Sequence, residues 1–376
     1  MVGRHVKLAE AVAERSEPDE QEDEPTRELD RYGASDDSND SRPLSEHDWH
    51  HERLLAGTIS WSVFLVLSLI VLVVVIAQIA ATGPVGLSHI VRTQSNSGSA
   101  SFQNGTPPTV TAEAAFVYDP DLGLTYFAKN ADLELPQASC TKIMTALLAV
   151  EHGNLDQVIT VGTDAQALVR PDSSYMGLSA GEKLTLRDLL YGLLLPSGND
   201  AAVAIADAIG GNVPNFVAMM NQRAQQLGLT HTHFMNPHGL GEPNHYTTAR
   251  DLAVLAAAAM KNPILVQITS TKEYTIPKTS THKAYDLMTG DDLIPGARAP
   301  YPGAIGVKPG YTGDAGYCQA FAAIRFGHLI VGAVLNEPSW QVRITDMRAL
   351  LDWGFEQESI APAPPPVPWS YPTPES

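Results

Sequence analysis

The chain has 376 residues, too many for one small domain and enough for one sizeable core with appendages. Its formal net charge is −18, and about half of that excess lies in the first 50 residues, so bulk electrostatics argue against a nucleic-acid partner. The two cysteines, Cys140 and Cys318, are too few for a disulfide framework or a cysteine metal site, which leaves free thiols or a single bridge.

The N-terminal part is predicted to hold a tail, one membrane span and a tether. Residues 1–53 are acidic and poor in apolar side chains, and we expect a disordered tail. Residues 59–81 carry no charge and are long enough to cross a bilayer, which predicts a transmembrane helix within residues 54–82. A cleaved signal peptide fits less well, because a long acidic region precedes the apolar run. Residues 83–108 are typical of a flexible linker.

Beyond the linker, the pattern predicts one α+β domain over residues 109–356 and a proline-rich tail over residues 357–376. Thr185 with Asp188, and Thr248 with Asp251, have the spacing of capping boxes that open helices. Strands stand on both sides of a block of helices, so we expect one antiparallel sheet flanked by helices and built from both chain ends. The predicted strands are 112–120, 124–130, 158–161, 316–325 and 328–335. The predicted helices are 138–150, 186–195, 200–209, 215–227, 251–260 and 339–355.

The stretch with the most chemical content is residues 138–150, ASCTKIMTALLAV. Ser139 and Lys142 stand three residues apart at the start of an apolar run with helical spacing, so they share one helix face. The apolar neighbours would remove water from the lysine, and a desolvated ammonium has a lowered pKa. Such a lysine can accept the proton of a serine hydroxyl, which makes the serine a nucleophile. Taken alone, the pattern also fits an ordinary core helix with a solvated lysine.

Two later stretches favour the chemical interpretation. In LLLPSGNDAA, Ser197 and Asn199 lie between two helices, at a turn that Pro196 forces and Gly198 allows. In GVKPGYTGDAGYC, Lys308 stands at the entry to the terminal strands. Taken alone, the first stretch is a helix cap and the second is a β-turn with a surface lysine. In this order, the three stretches match the S-x-x-K, Ser-x-Asn and Lys-Thr-Gly elements of penicillin-interacting serine acyltransferases.

On these residues, the chain resembles the serine-type D-alanyl-D-alanine carboxypeptidases, the low-molecular-mass penicillin-binding proteins. The resemblance runs from about residue 112 to residue 355, and it includes ASCTKIMTALLAVE, LLLPSGNDAA, LGLTHTHFMNPHGL, HYTTARDLAVLA and KPGYTGDAGYC. It implies a β-lactamase/transpeptidase-like fold. It also implies that the enzyme removes the terminal D-alanine from peptidoglycan stem peptides through an acyl-enzyme, with β-lactam antibiotics as inhibitors.

The resemblance implies three catalytic residues. Ser139 would attack the carbonyl of the penultimate D-alanine, and Lys142 would accept the serine proton. Ser197 would relay a proton to the nitrogen of the departing D-alanine.

Four more residues are implied in substrate binding. Asn199 would hold both Lys142 and the substrate backbone, and Lys308 would face the substrate carboxylate and depress the pKa of Lys142. Gly310 and Tyr311 complete the third element. The backbone N–H groups of Ser139 and Tyr311 would form the oxyanion hole.

One residue departs from the family pattern. Pro309 occupies the place where the family has threonine or serine, whose hydroxyl would bond the substrate carboxylate. We expect its absence to cost about 1.5–3 kcal/mol in substrate binding unless a group such as Thr312 compensates. The missing backbone donor is tolerable on an edge strand.

The remaining residues give no sign of a cofactor or a metal. Four histidines lie close together in sequence, but no carboxylate or cysteine pattern accompanies them, so we expect no metal site there. They are His231, His233, His238 and His245.

With the predicted span, the resemblance implies a single-pass, membrane-anchored carboxypeptidase whose catalytic domain faces the extracytoplasmic side, where its substrate is found. The acidic tail, residues 1–53, would then be cytoplasmic. Arg53 and Arg92 flank the span on either side and do not fix its orientation. Two alternatives stay open. A β-lactamase would share the acylation chemistry, although we recognise no dedicated deacylating glutamate. A non-catalytic peptidoglycan-binding or penicillin-sensing protein is suggested by Pro309 and the acidic tail.

Overall fold

A computed structural model describes residues 105–364 of the chain. The predicted acidic tail, the transmembrane segment and most of the linker lie outside the described residues, as does the proline-rich tail beyond residue 364.

Within the described range, strands form one five-stranded and two two-stranded sheets. In chain order, the strands are β1 (Ala114–Asp119), β2 (Leu124–Lys129), β3 (Val158–Thr160), β4 (Lys183–Thr185), β5 (Glu273–Ile276), β6 (Tyr285–Met288), β7 (Ala304–Thr312), β8 (Gly316–Arg325) and β9 (His328–Glu337). The helices are α1 (Lys142–His152), α2 (Thr163–Gln166), α3 (Leu186–Leu194), α4 (Asn199–Gly210), α5 (Val213–Gln226), α6 (Ala249–Met260), α7 (Pro263–Thr269) and α8 (Trp340–Gln357). A short 3-10 turn, Ala138–Thr141, leads into α1.

The five-stranded sheet joins the two ends of the domain. Its strand order is β2-β1-β9-β8-β7, and every pairing in it is antiparallel. The register places Phe116 of β1 opposite Ala333 of β9, and Phe321 of β8 opposite Gly332 of β9. A Cβ atom on residue 332 would lie 2.4 Å from the Phe321 ring, so this pairing needs glycine. The predicted α+β arrangement is confirmed.

Helices cover both faces of this sheet. The middle residues of β8 and β9 are buried without interruption, which requires cover on both sides because successive side chains point to opposite faces. Ala320 and Ala322 face a core shared with α1 and α6, whereas Phe321 and Ala323 face a second core shared with α8. The apolar run of α1 is buried on nearly all sides in the first core.

Of the two predicted capping boxes, the structure contains one in full and one in part. Thr185 accepts a hydrogen bond from the Asp188 backbone at 3.1 Å, and the Asp188 carboxylate accepts one from the Thr185 backbone at 3.4 Å, which confirms the first capping box. At the second, Thr248 accepts from the Asp251 backbone, but the Asp251 carboxylate accepts from His231 N–H and the Thr232 hydroxyl. This cap is therefore one-sided, because tertiary partners take the carboxylate.

Residues 263–312 contain elements that the sequence did not reveal. The hairpin β5–β6, helix α7 and strand β7 all lie between residues 260 and 316, where the sequence predicted neither a helix nor a strand. Strand β7 contains Gly306, Pro309 and Gly310, and its sequence favours a turn. Pairing with β8 overrides that preference, and Pro309 is tolerated because β7 is an edge strand.

Among residues 105–364, no single helix has the length and apolarity needed to cross a bilayer. Two bent pairs, α4 with α5 and α6 with α7, satisfy that test together, by length and composition only.

The capping box at Thr185 gives a stability prediction. We expect Thr185→Ala to lower the free energy of unfolding by about 1 kcal/mol, because the first-turn N–H of Asp188 loses its acceptor. Thr185→Ser keeps the oxygen and should lose much less. Urea unfolding of both full-length variants, followed by circular dichroism, makes the comparison. Equal losses in the two variants would contradict the capping role.

Candidate active site

The backbone around Ser139 is held by a chain of buried hydrogen bonds. His245 Nδ1 accepts from the Met235 N–H at 2.9 Å, so the ring proton is assigned to Nε2. That Nε2–H donates to the Thr141 hydroxyl over 2.7 Å, and the hydroxyl donates to the Ala138 carbonyl at 2.8 Å. Burial lowers the pKa of His245 to about 4, which keeps the ring neutral. The turn that carries Ser139 is thus fixed from outside α1.

Lys142 is the first residue of α1, and its side chain has no exposed surface. Its Nζ lies 3.0 Å from Ser139 Oγ, 2.6 Å from Asn199 Oδ1 and 2.5 Å from the His238 carbonyl oxygen. The predicted contact between Lys142 and the serine is therefore present, and it lies in a dry environment.

The geometry of these three contacts favours a neutral amine. Burial, followed by the positive charge of Lys308, holds the pKa of Lys142 well below its usual value. The amide oxygen of Asn199 and the His238 carbonyl only accept hydrogen bonds, so they take two N–H groups of the amine. In the neutral form, the remaining position around Nζ is a lone pair directed at Ser139 Oγ. The site is arranged for proton transfer from serine to lysine.

Asn199 is oriented by residues beyond the three motifs. Its Nδ2 donates to Ser173 Oγ at 2.8 Å, which fixes Oδ1 toward Lys142. The neighbouring Asp200 carboxylate is fully buried and accepts three backbone N–H groups of residues 176–178. It therefore anchors the segment that follows Ser173 to the start of α4.

Ser197 has an unusual backbone conformation. The sequence assigned the freedom of this turn to Gly198, but the positive φ of +66° is at Ser197, and Gly198 has φ −58°. Glycine is needed at 198 for close packing, because a Cβ there would lie 2.8 Å from the Gly192 carbonyl oxygen. The Ser197 Oγ is buried and has no hydrogen-bond partner among residues 105–364. A strained residue with an unpaired polar atom is typical of a functional position.

Strand β7 supplies the third part of the site. Lys308 is 1% exposed, its Nζ donates to the Pro309 carbonyl at 3.0 Å, and burial lowers its pKa to about 8. A Cβ on Gly310 would lie 3.0 Å from the Ser139 backbone nitrogen, so only glycine lets the strand approach the serine this closely. The Tyr311 side chain is exposed. When this stretch is considered alone, Lys308 is expected on the surface, but the structure buries it.

The structure brings together some predicted residues more tightly than others. Direct hydrogen bonds join Lys142 to Ser139 and Asn199, and backbone packing brings Gly310 to Ser139. Lys308 is coupled to Lys142 through its charge. Ser197 is close to Asn199 in sequence, and Tyr311 is close to Gly310. Within the described range, neither forms a hydrogen bond to those residues.

The carbonyl of His238 is a partner that the sequence did not reveal. Asn236 Oδ1 accepts from the N–H groups of His238 and Gly239, at 3.2 and 2.7 Å, and so shapes the turn that presents the carbonyl. Gly239 has φ +90°, and a Cβ there would lie 1.9 Å from the Ala138 carbonyl oxygen. The N-P and H-G dipeptides of this segment signal a turn, but they do not show that it reaches Lys142.

The two cysteines are both free and buried, which settles the open question of a bridge. The Cys140 thiol donates to the Lys308 carbonyl at 3.4 Å, and burial raises its pKa to about 11. Cys140 therefore ties the serine turn to β7 as a neutral thiol.

Comparison with known proteins places this geometry in a family. Residues 101–339 match the peptidase S11 family model, described as D-alanyl-D-alanine carboxypeptidase. The D-alanyl-D-alanine carboxypeptidase of Streptomyces sp. strain K15 is 38% identical over 264 residues, which cover 66% of this chain and 89% of that protein. D-alanyl-D-alanine carboxypeptidase DacA of Haemophilus influenzae is 35% identical, and the match covers 66% of this chain and 63% of that protein.

Solved structures agree with the sequence comparison. The crystal structure of the Streptomyces K15 DD-transpeptidase has a TM-score of 0.63 at 35% identity, covering 67% of this chain and all of that one. Penicillin-binding protein 5 from Haemophilus influenzae has a TM-score of 0.61 at 34% identity, covering 67% of this chain and 73% of that one. With the matched family model spanning the serine turn, the lysines and β7, this chain belongs to the serine-type D-alanyl-D-alanine carboxypeptidases.

Proposed function

We propose that this chain is a membrane-anchored serine hydrolase that removes the terminal D-alanine from peptidoglycan stem peptides through an acyl-enzyme. The observation that carries the proposal is the buried Lys142 Nζ, 3.0 Å from Ser139 Oγ. A nucleophile and its base within hydrogen-bond reach, with the base oriented by further groups, are what covalent acyl transfer requires. Here Asn199 and the His238 carbonyl orient the base.

In the acylation step, Ser139 Oγ bonds to the carbonyl carbon of the penultimate D-alanine while its proton passes to the neutral Lys142 amine. Collapse of the tetrahedral intermediate breaks the peptide bond, and the departing nitrogen takes the proton held by Lys142, relayed through Ser197. The buried, unpaired Ser197 Oγ supports this relay, since a bound substrate would supply its missing partner. Water then attacks the ester, which releases the shortened peptide and restores Ser139.

Strand β7 and the turn that carries Ser139 would bind the charged groups of the substrate. A protonated Lys308 would attract the terminal carboxylate of the stem peptide. The backbone N–H groups of Ser139 and Tyr311 would stabilise the oxyanion, and the close approach of Gly310 to Ser139 supports this placement.

A second reaction is supported by the comparisons. The Streptomyces K15 relative is described both as a carboxypeptidase and as a DD-transpeptidase. Both reactions share the acyl-enzyme and differ in whether water or an amine attacks it. Transpeptidation by this chain is therefore a candidate beside hydrolysis.

The proposal includes location and drug sensitivity. The uncharged residues 59–81 would anchor the chain with the catalytic domain outside the cytoplasm, where peptidoglycan is found. β-Lactams would acylate Ser139 by the same route as the substrate.

Mass spectrometry of the full-length protein with benzylpenicillin tests the nucleophile. We expect a covalent adduct on the tryptic peptide that contains Ser139, none in Ser139→Ala, and adduct formation slowed by about 10²–10⁴ in Lys142→Ala, because a general base contributes that much. D-alanine release from a stem pentapeptide should fall in parallel.

Cys140 provides the matched control, because it lies in the same tryptic peptide. Cys140→Ala should keep the adduct, since its buried thiol is neutral at physiological pH. An adduct that persists in Ser139→Ala would remove the assignment. Peptide binding and adduct formation without D-alanine release would favour the sensor, whereas rapid turnover of penicillin would favour the β-lactamase.

The two lysines predict a bell-shaped pH dependence of kcat/KM. Activity should rise with pH as Lys142 loses its proton and becomes a base, and fall as Lys308 loses its charge near pH 8. Lys308→Arg keeps a cation at high pH, so the alkaline decline should move to higher pH. The exposed Lys261→Arg is the control and should leave the profile unchanged. An alkaline limb that stays near pH 8 in Lys308→Arg would assign it to another group.

Pro309 predicts a gain of function. Pro309→Thr restores a hydroxyl toward the substrate carboxylate, and we expect kcat/KM to rise by roughly 10- to 100-fold, as for a regained hydrogen bond to a charged group. Pro309→Ala removes the ring without adding a hydroxyl and separates the two effects. Equal changes in both variants would show that the ring, and not the missing hydroxyl, limits the wild-type enzyme.

A further inference from the structure

A separate group of titratable side chains lies at the other end of the large sheet. Strand β9 ends at Glu337, which pairs with Tyr317 of β8, beside Tyr311 of β7 and the catalytic residues. It begins at His328, nine residues earlier, which places His328 about 30 Å away along the strand. Any function at His328 is thus distinct from the serine site.

Three elements bring potential metal ligands together there. Asp119 ends β1, His328 begins β9, and Glu358 follows α8. One ligand atom from each lies within 4.8 Å of the other two, and His328 Nδ1 is 3.2 Å from Glu358 Oε2. Asp119 is 2% exposed, and the Glu358 side chain is 10% exposed. The carboxylates are therefore built into the fold, unlike a solvated acidic patch.

The charges of this group are not balanced by their surroundings. Two carboxylates lie close together, and Glu358 caps the C-terminal end of α8, where the helix dipole disfavours an anion. Within residues 105–364, the ion pair that involves this group joins two of its own members, His328 and Glu358. A divalent cation would neutralise both carboxylates.

The ligands are also oriented as metal ligands usually are. Within the described residues, both hydrogen bonds to the Asp119 carboxylate end on Oδ1, from the N–H groups of Asp121 and Leu122 at 2.7 and 2.8 Å, which leaves Oδ2 for a cation. The Tyr126 hydroxyl donates to Glu358 Oε1, which leaves Oε2 beside the imidazole. Hydrogen bonds from surrounding groups to a ligand side chain fix the direction in which that side chain faces a metal ion.

We propose that Asp119, His328 and Glu358 form a binding site for a divalent transition-metal ion of the Zn²⁺ class. One imidazole and two carboxylates suit such an ion and leave a fourth position for water. The bound ion would join the end of α8 to β1 and β9 and so stabilise the second core. This site does not depend on the proposed peptidase function.

Zinc binding to the full-length, chelator-treated protein tests the proposal. Equilibrium dialysis should find one more bound Zn²⁺ in the wild type than in His328→Ala, and the difference excludes ions held by histidines elsewhere. At a Zn²⁺ concentration about 100 times the dissociation constant, the thermal midpoint should rise by several degrees in the wild type. The rise should vanish in His328→Ala and in Glu358→Gln. D-alanine release should be equal in the metal-free wild type and in His328→Ala.

His282→Ala is the matched control, because His282 is partly exposed and its Nδ1 contacts the Lys283 carbonyl away from this group. It should keep both the bound ion and the midpoint shift. If removal of His328 destabilises the metal-free protein, Glu358→Gln, which can still accept from Tyr126, provides the comparison. Equal Zn²⁺ binding in the wild type and both ligand variants would overturn the site and leave only a turn and a His–Glu ion pair.

Discussion

A lysine amine without access to water is the constraint on which this site depends. Lys142 is completely buried, and two of its three partners, Asn199 Oδ1 and the His238 carbonyl, only accept hydrogen bonds. An ammonium there would lose its hydration and face the repulsion of Lys308, so the neutral form is favoured. A neutral amine has one lone pair, and the position left for it faces Ser139 Oγ.

Much of the surrounding fold serves to keep that amine dry and aligned. The partners of Lys142 come from α4 and from the turn before α6, and each is held by its own network: Ser173 orients Asn199, and Asn236 shapes the turn of His238. Burial alone would lower the pKa of Lys142 without aiming it. The oriented acceptors convert a desolvated lysine into a directed base, which is why residues outside the three motifs are part of the site.

The sequence predicted the parts of the site that depend on local spacing. Ser139 and Lys142 are three residues apart, so a helical turn is enough to bring them together, and the hairpin β8–β9 follows from local alternation and a turn. The parts that depend on tertiary contact were not predictable. The sequence of β7 favours a turn, and the strand forms through its pairing with β8. The His238 carbonyl reaches Lys142 because Gly239 packs closely against Ala138. Gly198 was expected to give this turn its freedom, but the positive φ is at Ser197, and Gly198 is needed for close packing.

The edge position of β7 explains how the chain can carry Pro309 and keep the rest of the site. An edge strand can lose one backbone donor, and Lys308 is held through the Pro309 carbonyl, which proline retains. The serine turn contacts β7 through Gly310 and through the Cys140 thiol, neither of which involves the side chain of residue 309. In the proposed binding mode, Pro309 changes the group that would face the substrate carboxylate. The alignment of Ser139 with Lys142 does not depend on that side chain.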